Sequence, residues 1–190
     1  MAFDAFLNVC GIKGESQDYK HKGEIDVLSF SFGASQTGTF ATGGGGGAGK
    51  GQVDDLRITK KLDSSSPLLF LNCIGGTHLK EATLTVRKAG GQQLEYLKVK
   101  LTDVLISNVK PHGKAEQNEV YKNPAGLSIG GYVRDNTPGA VSTYGDEIPL
   151  EELSLNFAKI EYTYQPQGAN GQAQGGPIVS GWDVKGNQKV

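Results

Sequence analysis

The sequence predicts a mostly β protein, folded as a closed antiparallel β-barrel of two sheets with one short α-helix packed on its side. Three observations carry this prediction. Apolar and polar residues alternate with the period of a strand along much of the chain, and only one segment has the pattern of a helix. Glycine, at 28 of 190 residues, is about twice as common as in an average protein. Frequent turns between strands favour a sheet that closes, or nearly closes, on itself.

The length and composition suit a single domain covering residues 1–190. The formal net charge of −1, with acidic and basic residues interspersed, provides no field that would attract nucleic acid. The first residues, MAFDAFLNV, lack the basic and apolar regions of a signal peptide, and no window approaches the roughly 18 apolar residues of a membrane span. We therefore expect synthesis in the cytoplasm without a signal peptide, no membrane insertion and no nucleic-acid partner.

The first two strands are predicted at residues 2–10 and 24–32, separated by a turn at KGES. The first strand places Phe3, Ala5, Leu7 and Val9 on one face. In the second strand, the face predicted to point into the core carries Leu28, Phe30 and Phe32, and the opposite face carries Ile25, Val27, Ser29 and Ser31. A face that ends in small hydroxyl side chains meets water, in a pore, in a groove or at the open surface.

An extended glycine-rich loop is predicted at residues 35–52, with five consecutive glycines at 43–47. Gly44, Gly49 and Lys50 match the first part of the G-x-x-x-x-G-K-[ST] phosphate loop. Gly51 stands where that motif needs a hydroxyl, and a strand pattern follows where the motif needs a helix. A linker between domains is also disfavoured, because neither flanking part is large enough to fold comfortably alone. The remaining interpretation is an arm that contacts another molecule.

The next segments are a strand at residues 54–62 and the single helix, which DSSSP introduces and Gly75-Gly76 ends. Because the helix is almost entirely apolar, we expect a sheet to cover it. Strands follow at residues 81–87 and 94–109. In the longer of these two strands the residues that face one way are Leu97, Val99, Leu101 and Leu105. The two cysteines, Cys10 and Cys73, are interpreted as buried small side chains rather than as a disulfide.

The strand pattern is lost between residues 111 and 147, where several prolines and many glycines and asparagines predict a long loop, with an insertion at about 112–144. The pattern resumes at residues 150–164. A change of face before Ile160 indicates a bulge or a strand covered on both sides. One more short strand is predicted around residues 178–184.

No motif supports catalysis. The sequence GLSIG around Ser128 matches the nucleophile-elbow pattern, but no helix pattern follows it, and His21, His78 and His112 all precede it. The histidines lack metal-binding spacing, and the acidic pairs at 54–55 and 151–152 point to opposite sides of strands and are expected in solvent. We predict no catalytic residue, no metal site and no cofactor, which leaves a role in binding or assembly.

Several short segments follow one another along the chain in a characteristic order. They are KGES at 13–16, EIDVLSFSFGASQTG at 24–38, GGGGGAGKG at 43–51, TKKLDSSSP at 59–67, LTVRKAGG at 84–91, LTDVLIS at 101–107, LSLNFAKIEYTYQPQ at 153–167, GGP at 175–177 and GW at 181–182. Their ordered combination resembles the haemolysin co-regulated protein (Hcp) family, the tube subunit of bacterial type VI secretion systems. The resemblance covers the chain from Phe3 to Trp182, except for about 112–144, where shorter members have a brief turn.

The resemblance implies a non-enzymatic subunit that closes into a homohexameric ring. Rings would stack into a tube inside contractile sheath proteins and beneath a spike protein. The tube would assemble in the bacterial cytoplasm, leave the cell when the sheath contracts, and carry small effector proteins in its lumen. Ser29 and Ser31 would line that lumen. The ring-stacking residues would be Thr39, Gly43, Gly44, Gly45, Gly46, Gly47, Gly49 and Lys50.

Two other hypotheses stay open at this point. The first is a secreted Hcp-like binding module or adaptor that uses the 112–144 insertion to recognise a partner. The second is a hydrolase that uses Ser128. The short segment after Trp182 leads us to expect a member of the family without a fused toxin domain.

Overall fold

The computed structural model describes residues 3–36, 51–88, 93–113, 148–168 and 171–190. Within these ranges the chain forms eleven strands and one helix, and all strand pairs are antiparallel. The elements are β1 (Phe3–Val9), β2 (Ile25–Val27), β3 (Ser29–Ser31), β4 (Ala34–Ser35), β5 (Gln52–Val53), β6 (Leu56–Lys61), α1 (Ser66–Gly75), β7 (His78–Lys88), β8 (Glu95–His112), β9 (Leu150–Tyr164), β10 (Ile178–Asp183) and β11 (Gln188–Lys189). The prediction of a mostly β, antiparallel fold with one short helix is confirmed.

The long strands β7, β8 and β9 form the centre of the main sheet, with β8 between the other two. On one side the sheet continues from β7 through β1 to β2, and on the other side it continues from β9 through β10 to β11. The edge of β9 that faces away from β8 pairs with two strands: residues 150–155 pair with β6, and residues 159–164 pair with β10. β4 and β5 form a separate two-stranded hairpin.

Buried side chains change from one strand face to the other at a common level of the main sheet. In β8 the buried positions run through Leu101 and resume at Val104, and in β9 the same change falls between Phe157 and Ile160. The two places are adjacent, since Thr102 pairs with Lys159, and the next residue, Asp103, has a left-handed φ of 53°. Strands that bend together in this way carry the core from one sheet to another. The predicted change of face before Ile160 is confirmed.

The predicted core face of residues 24–32 is wrong in its first half. Ile25 and Val27 are buried, whereas Leu28 is exposed. The chain bends at Leu28, because β2 before it pairs with β1 and β3 after it pairs with β6. The Leu28 N–H donates to the Thr59 carbonyl at 2.8 Å. The alternation therefore restarts on the opposite face, with Phe30 packed against the core.

The helix begins and ends where the sequence predicted, but the expectation that a sheet covers its apolar side chains is wrong. Pro67 lies in the first turn, and Gly76 ends the helix in the left-handed conformation with a φ of 60°. Only Ser66 and Leu69 of α1 are buried. The helix packs along one narrow stripe and leaves most of its apolar side chains exposed.

The two cysteines differ in exposure. Cys10 is exposed and Cys73 is half-buried, so the prediction of two buried cysteines is wrong for Cys10, and both thiols are free. In the part of the chain that the structure describes, no helix has the length and apolar character needed to cross a membrane.

Candidate assembly surfaces

A polar face crosses four strands from Ser29 and Ser31, which are both exposed on β3. Ser29 is opposite Thr59 and Ser31 is opposite Arg57 on β6. Thr59 pairs in turn with Glu152 of β9, which pairs with Lys110 of β8. In the same way Arg57 pairs with Ser154 of β9, which pairs with Asn108 of β8. The exposure of Ser29 and Ser31 agrees with the predicted wet face. Sequence reasoning missed the rest of this polar face, because its members lie on distant segments that only strand pairing brings together.

The glycine-rich arm leaves the fold through the β4–β5 hairpin. Ala34 pairs with Val53 and Ser35 with Gln52, and the Asp54 N–H donates to the Gly33 carbonyl at 2.9 Å. The hairpin holds the two ends of the arm side by side. The predicted ring-stacking residues, from Thr39 to Lys50, lie outside the described residues. Most of the 112–144 insertion, with Ser128, also lies outside them.

An apolar groove of about 750 Å³ lies between this hairpin and the outer part of the main sheet. Its walls include Phe32, Val53, Ile160, Tyr162, Val179 and Trp182. The Phe32 and Tyr162 ring centroids are 5.7 Å apart. The apolar positions Ile160, Tyr162 and Tyr164 were visible in the sequence, but only the fold brings them beside Phe32 and Trp182.

A second apolar surface is the exposed helix face, formed by Phe70, Leu71 and Ile74. These side chains are 50%, 64% and 72% exposed. They lie on adjacent positions of α1, three and four residues apart, and therefore form one continuous patch. Contiguous exposed apolar patches commonly mark an interaction site.

A buried ionic cluster joins β6, α1 and β9. Lys60 Nζ donates to Asp63 Oδ1 at 2.8 Å and to Ser66 Oγ at 3.0 Å, and it lies 3.0 Å from Glu151 Oε2. The Ser66 hydroxyl donates to the same Glu151 oxygen at 2.9 Å. Lys60 and Glu151 are fully buried, so the expectation that Glu151 lies in solvent is wrong. Every one of these polar groups has a partner, as buried charges require.

A second ionic cluster covers the outer face of β1. Arg87 is buried, forms ion pairs with Asp4 and Asp18, and lies 4.8 Å from the centre of the Phe6 ring. The opposing guanidinium lowers the pKa of Asp18 by hydrogen bonding, against the opposite effect of desolvation. Phe6 in turn stacks on His21 at 4.3 Å. These contacts serve packing, because the charges are already committed to one another.

The three histidines each pair with a carboxylate rather than with one another. The distances are 2.9 Å for His21 and Glu24, 2.8 Å for His78 and Asp103, and 3.4 Å for His112 and Glu152. Among the described residues, no three or more His, Cys, Asp or Glu side chains are grouped so that they could hold a metal ion.

The chain is similar to several known proteins. The family model described as "Type VI secretion system effector, Hcp" matches residues 6–164. The chain is 40% identical to protein hcp1 of Pseudomonas aeruginosa over 188 residues, which cover 98% of both chains. Among solved structures, Hcp1 from Salmonella typhimurium is 33% identical, with a TM-score of 0.72 and full coverage of both chains. A structure titled a type six secretion system protein is 28% identical, with a TM-score of 0.79 and full coverage of both chains.

Proposed function

Because the chain belongs to the Hcp family of type VI secretion proteins, we propose that it is a structural subunit of the secretion tube that closes into hexameric rings. Hcp proteins are exported structural proteins and do not form an enzyme family. In the proposed cycle the subunit assembles in the cytoplasm, rings stack within the sheath, and contraction drives the tube outward beneath the spike. The function needs no catalytic residue of this chain.

The polar face is the observation that carries this proposal. A sheet in a globular domain needs to bury only one of its faces. Here the uncovered face presents hydroxyl, amide and charged groups of both signs across β3, β6, β9 and β8. Such a face suits the wall of a water-filled lumen, with Ser29 and Ser31 facing the inside. A wall without a large apolar patch would let small effector proteins travel without binding tightly.

We also propose that the sheet closes into a barrel within each subunit. β2 pairs with β1, β3 pairs with β6, and only Leu28 separates β2 from β3. Hydrogen bonding therefore continues from β1 to β6 through one bent segment. β6 pairs with β9, which leads back through β8 and β7 to β1. Closure would leave β2, β3 and β6 without a free edge in the barrel, and exposed edges are the part of a sheet that invites mispairing.

The glycine-rich arm at 35–52 is proposed as the contact between stacked rings. The β4–β5 hairpin holds the two ends of this segment side by side. Glycines allow its backbone to lie close to another backbone, where a Cβ would obstruct the approach.

Electron microscopy of the purified protein tests the proposal. We expect negatively stained particles to be rings with a central opening, and multi-angle light scattering to give about six times the 20.1 kDa chain mass. Strictly monomeric particles at high protein concentration would contradict the proposed function.

A further inference from the structure

We propose that α1 of one copy docks through its exposed helix face into the apolar groove of the next copy around the ring. The inference rests on the proposed function, since it names the two surfaces through which the ring closes. The occupant of the groove is therefore a second copy of this chain.

The helix face has the character of a covered surface. None of the ten residues of α1 is charged, in a chain in which 21% of residues are charged. A helix that stays at the surface of a monomer normally has a polar outer face. Phe70, Leu71 and Ile74 together provide the spacing with which a helix anchors in an apolar groove.

The groove has matching chemistry. Among the described residues that line it, Lys189 has the only charged side chain, and it lies on β11. The remaining walls are apolar side chains, small residues and uncharged polar groups. A helix without charged side chains can therefore enter without leaving an acidic side chain of the groove unpaired, and the aromatic walls suit Phe70 and its neighbours.

The two surfaces lie at different levels of β9. The Ser66 Oγ of α1 contacts Glu151 at 2.9 Å near the start of β9, and Tyr162 lines the groove near its end. The helix ends just before His78, which is level with Asn156 through Leu105. Six residue steps of strand, or about 20 Å at about 3.3 Å per residue, separate Asn156 from Tyr162. Two different surfaces on distant sides of one subunit produce a head-to-tail contact, which forms a ring when the rotation closes.

A pair of surface variants tests this arrangement. Ile74→Asp places a charge on the helix face, and Val179→Asp places one in the groove; the two side chains are 72% and 59% exposed, so each subunit should still fold. Because the charge would be buried against apolar groups, we expect each variant to associate at least about 100-fold more weakly than the wild type. Tyr19→Asp is the matched control, since Tyr19 is 97% exposed and belongs to neither surface, and it should form rings as the wild type does.

Mixing the two variants gives the decisive measurement. One intact helix face can still enter one intact groove, so light scattering should detect a one-to-one dimer that does not grow further. Circular dichroism should show that each variant alone is folded. Rings formed by the wild type and by both variants would overturn the inference and leave the proposed function intact. Loss of rings by Ile74→Asp but not by Val179→Asp would also overturn it, because the helix would then bind elsewhere. A wild type that forms no rings would overturn both.

Discussion

Replacing Lys60 by methionine tests the buried ionic cluster at the start of α1. Methionine keeps most of the length of the side chain and removes the ammonium group that pairs with Asp63 and Glu151 at 2.8 and 3.0 Å. The Glu151 carboxylate would remain fully buried without its cation. Removing one partner of a buried pair typically costs about 3 to 5 kcal/mol of unfolding free energy.

The change should be visible by two methods. For a domain of this size, about 2 to 4 °C per kcal/mol converts the loss into a melting temperature lowered by roughly 6 to 20 °C. Urea denaturation should give a lower midpoint with an unchanged slope, since the surface exposed on unfolding stays the same. Both measurements are best made at a protein concentration at which light scattering shows monomers of parent and variant, so that assembly does not add to the stability.

Two further variants make the result interpretable. Lys98→Met removes the same group from an exposed pair with Glu95 at 3.5 Å and should cost less than about 1 kcal/mol. Lys60→Met combined with Glu151→Leu should recover part of the loss, because neither buried charge is then left unpaired. A Lys60→Met variant within about 1 kcal/mol of its parent would refute the reasoning, since the cluster would then not be buried and coupled as the structure describes.

Two other predictions concern the arm and the Arg87 cluster. Gly45→Pro combined with Gly47→Pro should leave single rings intact and impair stacking, as seen by electron microscopy and secretion assays, because a stiffened arm cannot follow another backbone; secretion equal to the wild type would disprove the contact-arm interpretation. The pKa of Asp18 is lowered below 3.8 in the folded state by Arg87, so the stabilisation is present above about pH 4 and is lost as the pH falls further. Asp18→Asn should therefore lose less stability than the wild type between about pH 5 and 3 in urea titrations, and parallel pH profiles would argue against the pairing.

The elements that sequence reasoning placed well have local causes. Pro67 marks the start of α1, because the first turn of a helix tolerates a residue without an N–H. Gly76 marks its end, because glycine readily adopts the left-handed conformation that ends a helix. β7 and the change of face in β9 follow from alternation within single segments. For the same reason the exposure of Ser29 and Ser31 was predictable from one strand alone.

The features that it missed depend on residues far apart in the chain. Leu28 becomes exposed because β2 and β3 pair with different strands, which no local pattern reveals. Glu151 is buried because Lys60, from a distant strand, neutralises it. The apolar groove needs the hairpin at the base of the arm beside β9 and β10, so its aromatic residues were visible in sequence but their grouping was not.

The pairing of Lys60 with Glu151 also has a consequence for how β9 selects its alignment. These two residues are direct cross-strand partners, with Ile58 opposite Leu153 two positions further along. A slip of β9 by one residue would turn its apolar side chains outward and carry Glu151 to the opposite face. Lys60 would then be buried without the Glu151 carboxylate, and the apolar contacts of β9 would be lost as well. The ion pair thus penalises the misaligned pairing more strongly than apolar contacts alone would, so it helps to specify a single native sheet.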